Sequence, residues 1–570
     1  MPLLFIILPA SLLLLIAYFT YGRLLSRVFD LDRFRPTPAQ QVNDGVDFVP
    51  ANRFYLLGQH FSAIAAAGPI VGPVLAGLYF GWLPAMIWIV IGSIFIGGVH
   101  DFTALVASIR HHARSIAEVV RLHMSPRAYY LFLVFIWLCL VYVIIAFADI
   151  TASTFVTGEE GGGVASASML YLLLAVLMGL LIRFSRITEN RATLLFLPLV
   201  FLAVWLGGRM PIRMPELGGL APNVVWDWLL LAYCFVAALI PVSLLLQPRG
   251  SLGGYFLYVS LLVGVIGLLF GGFQVQHPAF LGWGAMPRPL FPILFVTVAC
   301  GACSGFHAVV STGTTSKQLR HETDARLVGY GGMLLEGFVA LLALATVMML
   351  APGSAELKGS PNQIYASGIA NFLSIFHIPR DQALTFGLLA FATFVYDTLD
   401  VCTRLGRYVF QELTGLKGQG GRVIATLATL ALPVLCVTLR VHDAAGNLVP
   451  VWRVFWTLFG ASNQLLAALT LLAVSVWMKR LGKPWLMSAL PMAFMMVMTL
   501  WALVLILRPW VLKLLGQAVT VTAAEGLTAL VLLGLAVVLL VEALTILLRR
   551  TREQVSTPMA GDRPQARDGL

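Results

Sequence analysis

Apolar runs of about twenty residues recur along the whole 570-residue chain, and they restrict its possible folds more than any other feature. Wound as an α-helix, about 20 residues cross a hydrocarbon core roughly 30 Å thick. The segments between the runs are mostly short, which leaves no room for a separate soluble domain. The sequence therefore predicts an all-α polytopic membrane protein, with one transmembrane domain over residues 1–550 and a disordered cytoplasmic tail over 551–570.

The composition excludes other classes of protein. Hydrophobic residues make up 59% of the chain and charged residues 11%, against about 45–50% and about 25% in ordinary globular proteins. These values exclude a disordered chain and a soluble enzyme. The net charge is +11, but the basic residues separate the apolar runs and do not cluster, so no nucleic-acid partner is predicted. All six cysteines lie inside apolar runs, which implies no disulfide framework.

The runs divide into about fifteen predicted spans, numbered here in chain order. They lie near residues 3–20, 56–79, 82–108, 129–150, 166–182, 192–207, 227–246, 253–273, 289–310, 328–351, 383–406, 423–439, 453–477, 486–507 and 523–547. With the N-terminus outside, 28 of the 37 Lys and Arg residues fall on the cytoplasmic side, which predicts a cytoplasmic C-terminus. Residues 352–380 form the longest predicted outer loop, and residues 443–447 a predicted outer turn.

Two of the predicted spans are interrupted near their middle. Span 2 contains two Gly-Pro pairs within residues 68–73, and each proline removes a backbone donor and clashes with the preceding turn. Span 9 contains three glycines among small hydroxyl residues between positions 299 and 317. Irregular backbone at membrane depth survives only where protein or a water-filled cavity satisfies it, and paired interruptions indicate a transporter's binding site. The alternative is that Gly and Pro are simply common in membrane helices.

The two interrupted spans run in opposite directions through the predicted topology. Spans 2–6, at about 53–207, and spans 9–13, at about 288–478, are therefore predicted to form two inverted five-helix repeats. Spans 7 and 8 are inserted between the repeats, and spans 1, 14 and 15 are peripheral. Such repeats bring two discontinuous helices together near the midplane, where half-helix N-termini face an anionic substrate and free carbonyls face a cation.

Polar groups inside the spans supply the candidate site, because an ionisable side chain costs roughly 2.5–3.5 kcal/mol at the centre of a bilayer. The predicted substrate-binding residues are His60, Ser62, Gly68, Gly72, Ser304, Gly305, His307, Ser311 and Thr312. The predicted coupling-ion residues are Asp397, Asp400, Thr314, Thr315 and Glu336. For either histidine the alternative is a structural hydrogen bond between helices, and for Glu336 it is a pairing with a neighbouring helix.

Span 11 carries the largest group of charges. Asp397, Asp400 and Arg404 are spaced i, i+3 and i+7 and share one face of a helix. Asp400 and Arg404 are predicted to form an ion pair, whereas Asp397 has no obvious partner in the sequence and is assigned a proton-carrying or cation-binding role. In span 3, His100 and Asp101 either anchor the end of the span or join the site.

No enzymatic or metal site is predicted. Cys300 and Cys303 form a CxxC pair, but the two further ligands of a zinc site and the βαβ context of a redox motif are both missing from the sequence. Ser304 and His307 have the spacing of a nucleophile and a base, yet the surrounding glycines favour unwound backbone. We therefore predict that the protein is not an enzyme and needs no cofactor, with bound Na⁺ as the one ion left open.

Four segments, at residues 58–73, 299–319, 394–413 and 455–465, carry a resemblance to a known family. The first reads GQHFSAIAAAGPIVGP and the last FWTLFGASNQL. In order and over most of the chain, they resemble the signature segments of the carbon starvation protein A (CstA) family of inner-membrane transporters. The resemblance implies proton-coupled uptake of pyruvate or peptides under carbon limitation. It also implies kinship with transporters built on the LeuT/APC-like inverted repeat.

These observations predict a secondary active symporter of the inner membrane, with its substrate between the interruptions of spans 2 and 9. Asp397, together with His60 or His307, would carry the proton. Sodium coupling is the alternative, because the hydroxyls of residues 311–315 and the unwound carbonyls form oxygen-rich surroundings. Three rival hypotheses from different classes are a membrane-embedded enzyme, a nutrient sensor that does not transport, and a channel. The predicted partners are a small carboxylate or peptide, a proton or sodium ion, and membrane lipid.

Overall fold

The computed structural model of the chain describes residues 1–45, 47–123, 125–185, 187–284, 289–439, 441–442, 448–515 and 523–548. Among these residues, twelve helices are long and apolar enough to cross a membrane, and a bent helix pair counted as one span gives thirteen. The protein is therefore an all-helical, multi-pass membrane protein, as the apolar runs predict. The predicted turn at 443–447 and the predicted tail at 551–570 lie outside the described residues.

The first part of the chain forms helices α1 to α13. Their bounds are α1 (Leu4–Phe19), α2 (Tyr21–Val28), α3 (Pro38–Val42), α4 (Arg53–Ile64), α5 (Gly68–Phe80), α6 (Trp82–Gly92), α7 (Gly98–Arg110), α8 (Ile116–His123), α9 (Pro126–Val156), α10 (Gly161–Phe184), α11 (Glu189–Arg209), α12 (Pro222–Leu239) and α13 (Leu246–Phe270). A π-helical turn at Ser93–Gly97 joins α6 to α7, so the two form one continuous span.

The second part forms helices α14 to α22 and one short hairpin. Their bounds are α14 (Leu290–Thr297), α15 (Gly305–Gly313), α16 (Gly331–Met348), α17 (Pro361–Leu373), α18 (Arg380–Thr414), α19 (Gly418–Cys436), β1 (Val441–His442), β2 (Leu448–Val449), α20 (Val451–Arg480), α21 (Leu486–Leu514) and α22 (Ala523–Leu548). β1 and β2 pair antiparallel. A 3₁₀ turn at Thr315–Lys317 follows α15, and a π-helical turn at Arg326–Tyr330 leads into α16.

Each of the fifteen predicted spans coincides with a helix or a helix pair. Span 2 is the pair α4 and α5, span 9 is the pair α14 and α15, and span 15 is α22. Spans 9 and 15 are not among the thirteen spans that are long and apolar enough to cross a membrane, so the number fifteen stays a prediction. Span 8 begins at Leu246 and not near 253, because Pro248 is tolerated in the first turn of a helix, where its missing N–H has no partner to lose.

The prediction of a loop over residues 352–380 is wrong for much of its length, because these residues contain α17. The sequence carries a helix start that the loop prediction overlooked. Ser360 and Gln363 form a capping box, in which the Ser360 backbone N–H donates to Gln363 Oε1 at 2.9 Å, and Pro361 occupies the first helical position. The helix packs against α5, α16 and α18, and its apolar face is buried there.

Three long helices support the two interrupted spans. α9, α18 and α20 have 31, 35 and 30 residues, and α9 packs along both of the others. The first interrupted span packs through α4 on α13 and through α5 on α16, and the second packs through α15 on α7 and α20. Both interruptions are therefore enclosed by other helices, whereas α1 and α21 expose much of their surface.

Candidate functional site

The first interruption separates α4 from α5 over residues 65–67, and the two helices are bent by 47°. In a continuous helix the carbonyl of Ala63 would accept a hydrogen bond from the residue four positions later. Here it accepts a hydrogen bond of 2.9 Å from Thr398 Oγ1 on α18. The first break is therefore stabilised by a side chain from the long helix beside it, as membrane-depth backbone requires.

The second interruption separates α14 from α15 over residues 298–304. Asn463 on α20 caps the start of α15, because its Oδ1 accepts the N–H of Phe306 at 2.8 Å. Span 3 satisfies two of the unwound carbonyls: Trp88 Nε1 donates to Val298 O at 3.2 Å, and Ser93 Oγ donates to Gly301 O at 3.1 Å. Side chains of spans 3 and 13 thus take the place of the missing helical hydrogen bonds.

Replacing Asn463 with alanine is expected to destabilise the protein by about 1–2 kcal/mol, because the buried N–H of Phe306 loses its acceptor. Thr470→Val is the matched control on the same helix, since the Thr470 hydroxyl is buried and has no hydrogen-bond partner among the described residues. Thermal unfolding in detergent should show a lower midpoint for the first variant and an unchanged midpoint for the second. Equal midpoints would contradict the capping role of Asn463.

The two interruptions lie directly against each other. A Cβ atom on Gly68 would overlap the side chain of Cys300, and one on Gly72 would lie 3.3 Å from Val298 Cα and still closer to the carbonyl oxygen of Thr297. At Gly72 the two backbones approach too closely for any side chain, and at Gly68 the side chain of Cys300 already fills the space. The structure therefore brings together the two breaks that the sequence predicts.

A buried arginine links the first interruption to span 11. Arg249, near the start of α13, is 1% exposed; its Nε lies 2.9 Å from Asp397 Oδ1, and its Nη1 contacts Asp400 Oδ2. Tyr233 of α12 donates to Asp400 at 2.6 Å, and Ser62, three residues before the first break, donates to Asp397. We call these five residues the Arg249 centre. It joins α4, α12, α13 and α18.

Two predictions about span 11 are wrong. Asp400 pairs with Arg249 and not with Arg404, whose Nη2 donates to the carbonyl of Ala237 at 2.8 Å and to that of Ile240. Asp397 has a partner after all, again Arg249. The i, i+4 spacing did not decide the pairing, because a cation from another helix reaches both carboxylates in the dry interior, where an uncompensated charge is costly.

A second buried group of charges surrounds His307 on α15. Its Nδ1 lies 2.7 Å from Asp101 Oδ2 on α7, and its Nε2 lies 2.9 Å from Glu336 Oε2 on α16. Asp101 also contacts Nδ1 of the neighbouring His100 at 2.7 Å through its other oxygen. All four side chains are fully buried. We call Asp101, His307 and Glu336 the His307 chain.

The predicted hydroxyl residues mostly bond to other parts of the protein. Thr315 Oγ1 lies 2.9 Å from His60 Nδ1, which connects the turn after α15 to α4. Thr314 donates to a carbonyl one turn earlier at 3.0 Å, and Thr312 accepts the N–H of Ile116 at 3.3 Å. The contacts of Thr312 and Thr315 join the region of α15 to its neighbours.

A cavity of about 500 Å³ lies between α8, α9, α15 and α18. Thr312 lines it, together with charged residues such as Lys317 and Glu412. The neighbouring Ser311 hydroxyl is buried without a hydrogen-bond partner among the described residues. Thr312 is the one predicted substrate-binding residue that lines this cavity. Gly68 and Gly72 pack against residues 297–300 of the other interrupted span, and Gly305 packs against α20.

The sequence reasoning missed Arg249 and Tyr233, it left open whether Asp101 joins the site, and it gave Asn463 no role. Arg249 was placed in a cytoplasmic connection because it precedes the apolar run of span 8. One signal was available: it is the only basic residue between spans 7 and 8, where the positive-inside rule favours several. The partner carboxylates lie about 150 positions away in the chain, and their proximity had no local signal.

The family model for Carbon starvation protein CstA matches residues 3–364 and 354–502. The chain is 32% identical to the Escherichia coli protein named Peptide transporter CstA, over 88% of this chain and 80% of the relative. It is 31% identical to the Escherichia coli Pyruvate/proton symporter BtsT, over 88% and 81%. A solved structure of the Eremococcus coleocola manganese transporter covers 89% of this chain with 13% identity and a TM-score of 0.47. By the family match and these relatives, the chain is a member of the carbon starvation protein CstA family.

Proposed function

We propose that this protein is a secondary active transporter that imports a small carboxylate, pyruvate or a short peptide, together with protons. The observation that carries this proposal is the direct contact between two interrupted spans that are enclosed by long helices. Interrupted helices that meet at membrane depth form the binding sites of many secondary transporters. The names of the relatives, a peptide transporter and a pyruvate/proton symporter, support the same substrate classes.

We propose that spans 2–6 and 9–13 are inverted repeats within fifteen spans of the inner membrane, with the N-terminus outside. Matching contacts support the repeat. The second span of the later repeat, α16, packs on α5 of the first interrupted span. Correspondingly, α7 in the second span of the earlier repeat packs on α15 of the second interrupted span. The third members, α9 and α18, pack along each other.

The substrate carboxylate would bind between the two breaks when they separate. Each break is followed by the N-terminus of a half-helix, at Gly68 and at Gly305, where the helix dipole favours an anion. The proposed binding residues are His60, Ser62, Gly68, Gly72, Ser304, Gly305, His307, Ser311 and Thr312. The tight packing at Gly72 means that the breaks must part to admit a ligand, which is the motion of alternating access.

Proton coupling has more support than sodium coupling. One relative is named a pyruvate/proton symporter, which supports the proton as the coupling ion. The buried carboxylates Asp397, Asp400 and Glu336 are groups that can hold a proton. We infer that a proton moves with the substrate and that the transporter serves nutrient uptake when carbon is scarce.

Purified protein in liposomes should accumulate radiolabelled pyruvate when the outside is more acidic than the inside. A sodium gradient at equal pH should produce no accumulation above that of empty liposomes. Accumulation driven by sodium alone would replace the proton with sodium in this proposal. If neither gradient moves pyruvate or a dipeptide, while either ligand raises the thermal unfolding midpoint, the protein is a sensor and not a transporter.

A further inference from the structure

His307 lies between two carboxyl groups that belong to different helices. Its two ring nitrogens are 2.7 Å from Asp101 and 2.9 Å from Glu336. The Nδ1 contact is a hydrogen bond, whereas Nε2 and both carboxylate oxygens of Glu336 are buried without a hydrogen-bond partner among the described residues. The second contact is therefore one of charges at short range, and a neutral imidazole brings no charge that could compensate a Glu336 carboxylate.

The His307 chain must therefore hold one proton more than a neutral histidine beside two carboxylates. That proton is either on the second ring nitrogen or on the facing carboxyl oxygen, and in both cases the net charge of the three groups is −1. Without it the three groups carry −2 in a fully buried position, and neither oxygen of Glu336 accepts a hydrogen bond from the described residues. Loss of the proton thus disfavours the observed arrangement.

The Arg249 centre has no such requirement. Asp397 accepts a hydrogen bond from Ser62 and lies 2.9 Å from Arg249 Nε, and Asp400 accepts hydrogen bonds from Arg249 and Tyr233. The guanidinium group carries its positive charge permanently. Among the buried carboxylates proposed for coupling, Glu336 is therefore the one whose charge has no fixed cation beside it in the described part of the chain and whose burial depends on an added proton.

The titratable neighbours of the His307 chain are histidines and thiols. His100 contacts Asp101 from the same helix, and His60 approaches the chain from α4. Cys300 and Cys303 face it from the second break. Among the described residues no lysine or arginine lies within ion-pair distance of Asp101 or Glu336, so no fixed cation compensates the second negative charge.

We propose that the coupling proton of the transport cycle binds between His307 and Glu336, within the buried Asp101–His307–Glu336 chain. This inference rests on the proposed function and names the proton site of the same transporter. His307 lies on α15, directly after the second break, and Glu336 lies on α16. Protonation lowers the net negative charge buried between these helices, and deprotonation raises it. A proton taken from the outer side would thereby control the separation of the two breaks.

The test replaces Glu336 with glutamine, which is neutral without an added proton. In liposomes, the Glu336→Gln variant should retain exchange of radiolabelled pyruvate against internal pyruvate, within about twofold of the original protein. Its accumulation of pyruvate under a pH gradient should fall roughly tenfold or more, because exchange needs no net proton movement. Glu356→Gln, at an exposed position, is the matched control and should change neither rate.

Asp101→Asn provides a second variant on the other side of His307, and the same loss of accumulation with retained exchange is expected. Unchanged accumulation in either folded variant would overturn the proposal. Loss of both exchange and accumulation in a variant that still binds pyruvate would also overturn it, and so would failure of both variants to fold. Either result would mean that the His307 chain has a structural role. If the original protein shows neither exchange nor accumulation, the proposed function fails independently of the proton site.

Discussion

Replacing Arg249 with alanine is expected to destabilise the protein by about 3–5 kcal/mol, the usual cost of removing one partner from a buried ion pair. The substitution leaves Asp397 and Asp400, each at most 3% exposed, without the only ion-pair partner that they have in the described part of the chain. The midpoint of thermal unfolding and the resistance to SDS should both fall steeply. The matched control is Arg380→Ala, because Arg380 is more than half exposed and lies 4.0 Å from its partner Glu356. A surface pair of that kind contributes about 0–1 kcal/mol.

Removing the charges together separates an electrostatic role of Arg249 from a packing role. The triple variant Arg249→Met, Asp397→Asn and Asp400→Asn has no net charge at the centre, and it should recover most of the lost stability. Recovery follows because the penalty of the single variant comes from uncompensated carboxylates and not from a missing contact. If Arg249→Ala unfolds at the same temperature as Arg380→Ala, or if the triple variant is no more stable than the single one, the charge argument is contradicted.

The span pattern could be predicted because it depends on local properties of the chain. A run of about 20 apolar residues decides a membrane helix by its own length, whatever packs beside it. The interruption at 65–67 was equally local, since the following Gly68-Pro69 pair cannot continue the preceding helix. α17 was missed although its start signals at Ser360 and Gln363 were visible, because glycines and prolines on both sides outweighed them.

The partners inside the site could not be predicted in the same way. Asp397 and Arg249 are separated by 148 positions, and nothing near either residue in the sequence indicates the other. Spacing along one helix suggested Arg404 as a partner, yet Arg404 bonds to backbone carbonyls at the end of α12. Which buried charges pair depends on how the helices pack in three dimensions. Spacing along one helix indicates only which residues could pair. The same limit applied to Asn463, which reads as a polar residue of span 13 and caps a helix 157 positions earlier.

The contact between the two breaks predicts a loss of transport that a second substitution reverses. Gly68→Ala places a Cβ atom against the side chain of Cys300, where neither group can move aside without shifting backbone. Overpacking of this kind costs about 1–3 kcal/mol, so pyruvate uptake should fall roughly tenfold or more. Gly420→Ala is the control, because a Cβ atom there meets nothing within 4 Å.

Adding Cys300→Gly removes the side chain that the new methyl group meets, and the double variant should recover most of the uptake. The same addition should not rescue Gly72→Ala, whose Cβ atom meets the backbone of Thr297 and Val298 and not a side chain. Uptake in liposomes and thermal unfolding of the single and double variants form a double-mutant cycle that measures the contact directly. The packing of Gly68 on Cys300 requires the two substitutions to be strongly non-additive. Additive effects, or equal rescue of Gly72→Ala, would mean that the two breaks do not meet through these residues.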